Sequence, residues 1–141
     1  MVKKKVFRNK KESYYIMNLK LLIIFSIVFL ILDVSWIQIF AKKFGPMIEK
    51  IQGSPMVTNI YGALGAYIVM LFTYYNLVYD GDKPNYTKAL LLGLAVYGTY
   101  EFTNYATIKN WDLTVLGIDI SWGLLVSVLS LYITDLIYKR I

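Results

Sequence analysis

The chain contains no cysteine and no histidine. Without cysteine there are no disulfides, no thiolate metal ligands and no thiol redox chemistry, and cysteine usage says nothing about the redox compartment. Without histidine there is no imidazole base, no histidine-ligated haem or zinc, and no side chain whose ordinary pKa lies near neutrality. Proline is scarce, at three in 141 residues, and acidic residues number nine against fifteen basic ones.

Apolar residues make up 57% of the chain and aromatic residues 16%, with a mean hydropathy of +0.52. A soluble domain of this length could not bury that much apolar surface, so the composition indicates an integral membrane protein. The net charge of +6 comes from the first twenty residues, where Lys3, Lys4, Lys5, Arg8, Lys10, Lys11 and Lys20 face Glu12 alone. Such a juxtamembrane cluster fits the anionic lipid of a cytoplasmic leaflet, not a nucleic acid, although setting orientation is role enough for it. The first apolar run is too long, and too poor in a following small-residue pattern, for a cleaved signal peptide.

Four windows reach the roughly twenty apolar residues needed to cross a hydrocarbon core, at about 19–41, 57–79, 87–108 and 113–138. Backbone exposed to lipid must satisfy its own hydrogen bonds, so each window is expected to be a helix. Turn chemistry separates them: Gly45-Pro46 and Gly53-Ser54-Pro55, then 80–85, then 109–112. Between the first two, residues 47–52 suit a short interfacial helical turn with Met47, Ile48 and Ile51 toward lipid. With both termini cytoplasmic, eleven of the fifteen basic residues fall inside, and Lys42, Lys43, Lys50 and Lys109 remain outside. The expected fold is all-α: a basic tail at 1–18, then a four-transmembrane-helix bundle over 19–141. So small a bundle also suits a homodimer or a larger membrane complex.

Within these apolar windows stand LDVSWIQ at 32–38 and IDISWGL at 118–124. At a rise of about 1.5 Å per residue, Asp33 lies roughly 12 Å below the outer end of the first helix, Glu101 roughly 10 Å below that of the third, and Asp119 roughly 9 Å below that of the fourth. The three carboxylates therefore share one depth. Asp33 and Trp36 share a helix face, as do Asp119 and Trp122, while Gly93, Tyr97, Glu101 and Asn104 form one stripe with Tyr100 beside it. In the second helix, Gly62 and Ala66 have the small-xxx-small spacing of a close packing face, with Asn59 and Tyr61 near the outer level.

The run YGTYEFTNYATIKNW at 97–111, with LDVSW before it and DISWG after it, resembles the domain-of-unknown-function family DUF2177 of small predicted membrane proteins. The family pattern matches Tyr97, Gly98, Thr99, Tyr100, Thr103, Asn104, Ala106, Thr107 and Trp111, then Asp119, Trp122 and Gly123, with Asp33 and Trp36 in the first helix. Glu101 stands where the family pattern has aspartate, and the basic tail is longer than in the pattern. The resemblance implies a fold and no settled activity.

Three carboxyl groups at one intramembrane depth, with no lysine or arginine among them, cannot all stay ionised; at least one holds a proton unless a cation binds. One reading is a proton or hard-cation site at Asp33, Glu101 and Asp119, with Tyr97, Tyr100 and Asn104 as further oxygen ligands. Oxygen-only ligation would suit sodium, calcium, magnesium or manganese, and no cofactor is otherwise required. The other reading is a structural lock, in which the carboxyls hydrogen-bond tyrosine hydroxyls, Asn104 and the ring nitrogens of Trp36 and Trp122. Trp111, in the outer loop, reads as an interfacial belt residue. Asp135 reads as an exposed pair with Lys139.

Three functions stay open. One is binding or conducting a proton, cation or small ligand, for which Ser26, Thr73, Ser127, Ser130 and Thr134 are the inner-half polar residues available for a path. Another is an accessory or structural subunit of a membrane assembly. A lipid-modifying enzyme with paired carboxylates as acid and base is the third, and it lacks a nucleophile or metal motif. The balance favours binding or conduction over catalysis.

Overall fold

The computed structural model describes residues 18–141; the basic tail and its expected lipid contact lie outside the described residues, apart from Lys20. The chain folds as helices α1 (Leu19–Gln52), α2 (Ile60–Val78), α3 (Tyr86–Gly93), a π-helical turn (Leu94–Gly98), α4 (Thr99–Thr107) and α5 (Leu113–Tyr138). A two-residue hairpin of β1 (Tyr79–Asp80) and β2 (Lys83–Pro84) joins α2 to α3. Three helices, α1, α2 and α5, are long and apolar enough to cross a membrane. From α3 to α4 the helical hydrogen bonding is continuous: the Leu94 N–H reaches Leu90 and Leu91, and the Thr99 N–H reaches Ala95 and Val96.

Helices α1, α2, α3 and α5 each start at a side-chain cap that satisfies otherwise unpaired backbone donors. Asn18 accepts from the Leu21 N–H, Asn59 from Tyr61 and Gly62, Asn85 from Lys88, and Asp112 from Thr114 and Val115. The Thr114 backbone N–H holds the Asp112 carboxyl below the usual carboxylate range. At the hairpin, the Asn85 side chain and then the Lys88 ammonium do the same to Asp80. Asp135 and Lys139 pair one turn apart at the end of α5, as their spacing predicts.

The first connection departs from expectation. Gly45-Pro46 does not end α1, which runs through Pro46 for 34 residues and stops at Gly53, whose left-handed φ of 75° closes the helix onto the Glu49 carbonyl. An interior proline costs about 3 kcal/mol in an unsupported helix. Here the continuation is anchored: Phe44 meets the edge of Trp111 at 5.7 Å, and the Asp112 N–H donates to Met47 Sδ at 3.3 Å. Residues 47–52 are thus not a separate interfacial turn, and Met47 faces the loop between α4 and α5. At about 1.5 Å per residue, α1 is about 51 Å long against a hydrocarbon core of about 30 Å, so one end projects well beyond it.

The inner half of the bundle holds the core, where Leu21, Phe25 and Phe29 of α1, Tyr74 and Val78 of α2, and Val126 and Leu131 of α5 bury against one another. Beside it the α5 hydroxyls Ser127, Ser130 and Thr134 are all buried. α5 is the central element and packs against α1, α3, the π-helical turn and α4. α2 joins this core through Tyr67, Met70, Leu71 and its C-terminal end, while Tyr61, Leu64, Ile68 and Val69 are exposed.

The close-packing role expected of Gly62 and Ala66 is therefore not theirs. A Cβ on Gly62 would meet only the Asn59 side chain, at 4.0 Å, and Ala66 is exposed. The closest helix approach is between α3 and α5. There a Cβ on Gly93 would lie 2.5 Å from Ser127 Oγ and 2.7 Å from the Gly123 carbonyl oxygen, and one on Gly123 would fall inside the Tyr97 ring.

Candidate functional site

Asp33 occupies the face of α1 that turns toward the other helices and is buried. Three donors from three different segments converge on its carboxylate. Tyr67 of α2 donates to Oδ2 at 2.7 Å, while Tyr97 of the π-helical turn and Trp122 of α5 donate to Oδ1 at 3.1 and 2.9 Å. Both carboxyl oxygens are thus supplied with hydrogen-bond donors. Next to it the rings of Trp36 and Trp122 stack with centroids 4.6 Å apart. Phe40 and Phe44 extend this aromatic ladder outward along α1 at successive i, i+4 steps of 5.4 and 5.8 Å.

Glu101 of α4 is completely buried. Its Oε2 accepts the indole N–H of Trp111 at 2.7 Å, and its carboxyl is hydrogen-bonded to that of Asp119. Trp111 is accordingly not an interfacial belt residue. It is only 6% exposed, because Asn110, with a left-handed φ of 67°, turns the chain back so that the indole covers the end of α4. Asp119 is hydrogen-bonded to Glu101 and accepts from the indole N–H of Trp36.

These groups border a cleft of about 440 Å³ between α1, the outer half of α2 and α4. That volume lies in the range of small-molecule sites, which are largely apolar with a few convergent polar groups. Asp33, Trp36, Tyr97, Tyr100, Glu101 and Asp119 all line it. Asn104 does not, and Trp122 sits behind Trp36 instead of in the wall. Among the described residues no three carboxylates come together closely enough to hold a metal ion. Asp33 is enclosed by its own three donors, and Glu101 and Asp119 pair with each other.

Tyr67, Phe40 and Phe44 also line the cleft, and sequence reasoning did not single them out. For Tyr67 a signal existed, since it lies seven residues into α2, about 10 Å from the outer end at about 1.5 Å per residue, the depth of the carboxylates. Phe40 and Phe44 continue the i, i+4 series begun by Trp36.

A family model described as predicted membrane protein (DUF2177) matches residues 18–135. No curated protein and no solved structure matches the chain.

Proposed function

Since the chain belongs to the predicted membrane protein family DUF2177, we propose that it spans the bilayer four times with both termini cytoplasmic, and that its outer-half cleft binds a proton or a small ligand. The fourth crossing in this reading is the segment 86–107, whose pieces of 8, 5 and 9 residues together reach about 33 Å at about 1.5 Å per residue, enough to match the hydrocarbon core. Because the native chain has no cysteine, single cysteines report its topology without background. Cysteines at Ser54 and Asn110 are expected to react with an impermeant maleimide from the outside of intact cells. One at Gly81 is expected to react only after permeabilisation. Labelling of Gly81→Cys from outside would remove the four-span arrangement.

The observation that carries the binding reading is the pair of carboxyl groups, Glu101 and Asp119, hydrogen-bonded to each other at a cleft with no lysine or arginine among its lining residues. Two carboxyl oxygens cannot hydrogen-bond without a proton between them, so the pair calls for a proton or a cationic ligand. Asp33, with three donors, has no such need and serves as the lock that holds the helices in place. Binding is favoured over conduction because Phe25, Phe29 and Tyr74 fill the inner half below Asp33. A hard cation is disfavoured by the separation of Asp33 from the other two carboxylates, and a lipid-modifying enzyme by the lack of any nucleophile beside them.

The test is thermal unfolding of the purified protein in lipid nanodiscs from pH 5 to pH 9. The wild type is expected to change stability across that range, whereas Glu101→Gln combined with Asp119→Asn is expected to unfold at a temperature nearly independent of pH. A wild-type profile as flat as that of the double variant would overturn the reading.

A further inference from the structure

We infer that the ligand of this cleft is an amphipathic amine: a molecule with an apolar body and one protonated primary or secondary amine. The inference rests on the ligand-binding reading above and assigns its chemical class. Charge is the first argument. Glu101 and Asp119 stand side by side at the cleft wall with no lysine or arginine among the cleft-lining residues, so a bound cation is favoured and an anionic headgroup such as a phosphate is repelled.

Hydrogen bonding is the second argument. Glu101 and Asp119 hydrogen-bond each other and so share a proton, and an ammonium N–H donating to the partly exposed Asp119 takes that proton's place where a quaternary ammonium cannot. The rest of the wall is the third. Trp36, Phe40, Tyr67, Tyr97 and Tyr100 give the lining an aromatic character that suits an organic cation, and Met56 and Met70 supply adaptable apolar surface for a hydrocarbon body. Access is the fourth. α4 packs against α5 and the π-helical turn, not against α2, and Ala66, Val96 and Tyr100 on the two sides of that gap are exposed. The cleft thus opens sideways, at a level where the surroundings are hydrocarbon, and an amphiphile dissolved in the bilayer reaches it without crossing water.

The experiment uses the full chain in nanodiscs and compares octylamine, octyltrimethylammonium, octanol and octanoate at pH 7, with tryptophan emission and unfolding temperature as readouts. Octylamine is expected to stabilise the protein saturably and to shift the emission of the Trp36 and Trp122 pair. The trimethylated cation should bind at least tenfold more weakly, and octanol and octanoate should give no saturable response. Glu101→Gln should weaken octylamine at least tenfold. Ala66→Phe, which fills the cleft from the exposed face of α2 and leaves every carboxylate in place, should abolish the response while keeping the folded spectrum.

Equal saturable binding of octanol and octylamine would overturn the amine assignment while leaving a ligand cleft intact. Equal binding of octyltrimethylammonium would overturn the requirement for an N–H donor. Octylamine binding that survives Ala66→Phe would place the amine elsewhere and overturn the inference, as would the absence of any response in the wild type. None of these results disturbs the pH profile, which alone decides the broader reading.

Discussion

Gly123→Ala is expected to destabilise the folded protein by about 3 kcal/mol, near the upper end of what overpacking costs. The added methyl would fall inside the ring of Tyr97, and neither neighbour has room to give. α5 is held against α1 on its other side, and Tyr97 is held by its hydrogen bond to Asp33. Separating the helices would in turn lengthen that bond and loosen the Trp122 donor one residue away. Gly117→Ala on the same helix supplies the control, because a Cβ there meets nothing within 4 Å. It should be neutral or stabilise by up to about 1 kcal/mol through helix propensity alone. Denaturant unfolding in mixed micelles measures both. If the two variants behave alike, the close approach of α5 to Tyr97 is not part of the fold.

The second large effect is expected at Asp33. Asp33→Leu removes the acceptor of Tyr67, Tyr97 and Trp122 at once. Each buried donor left unpaired costs about 1–3 kcal/mol. Since the three relax together, a total loss of about 4 kcal/mol is expected, lower than their simple sum. Asp33→Asn keeps one acceptor oxygen and is expected to cost about 1–2 kcal/mol. Glu101→Gln and Asp119→Asn should each stay within about 1 kcal/mol of wild type, because each amide keeps an acceptor oxygen for the indole N–H its carboxyl receives, from Trp111 and Trp36 respectively. The same unfolding series checks all four. An Asp33→Leu variant no less stable than Glu101→Gln would mean that the three donors do not lock the bundle.

This division of labour among the carboxylates was only partly legible beforehand. Counting rise per residue placed Asp33, Glu101 and Asp119 at one depth, and all three line the cleft. Helical spacing alone does not say which hydrogen-bond donors a neighbouring helix will supply, so it left metal site and lock as equal alternatives. The ends of α5 fall where the apolar window at 113–138 starts and stops, because Asp112 caps one end and Lys139 follows the other. The end of α1 did not. Gly45-Pro46 reads as a break in isolation, and only the contacts of Phe44 and Met47 with a loop more than sixty residues away keep it helical.

Trp111 was misplaced for the same reason. A tryptophan in an outer loop looks interfacial until the turn at Asn110 carries it back to Glu101. Gly62 and Ala66 have the right spacing for a tight contact and no partner within reach. In contrast, Gly93 and Gly123, which do make the closest contact, are not spaced four apart on one helix but face each other across two.

The exposure of the N-terminal half of α2 has one more consequence. The cleft opens on one side to whatever solvates the helices. In a cell that missing wall is acyl chain, and in a micelle it is detergent. Chain length, saturation and headgroup spacing then become part of the cleft's boundary. Two laboratories using different amphiphiles would be studying two differently walled clefts built on one sequence.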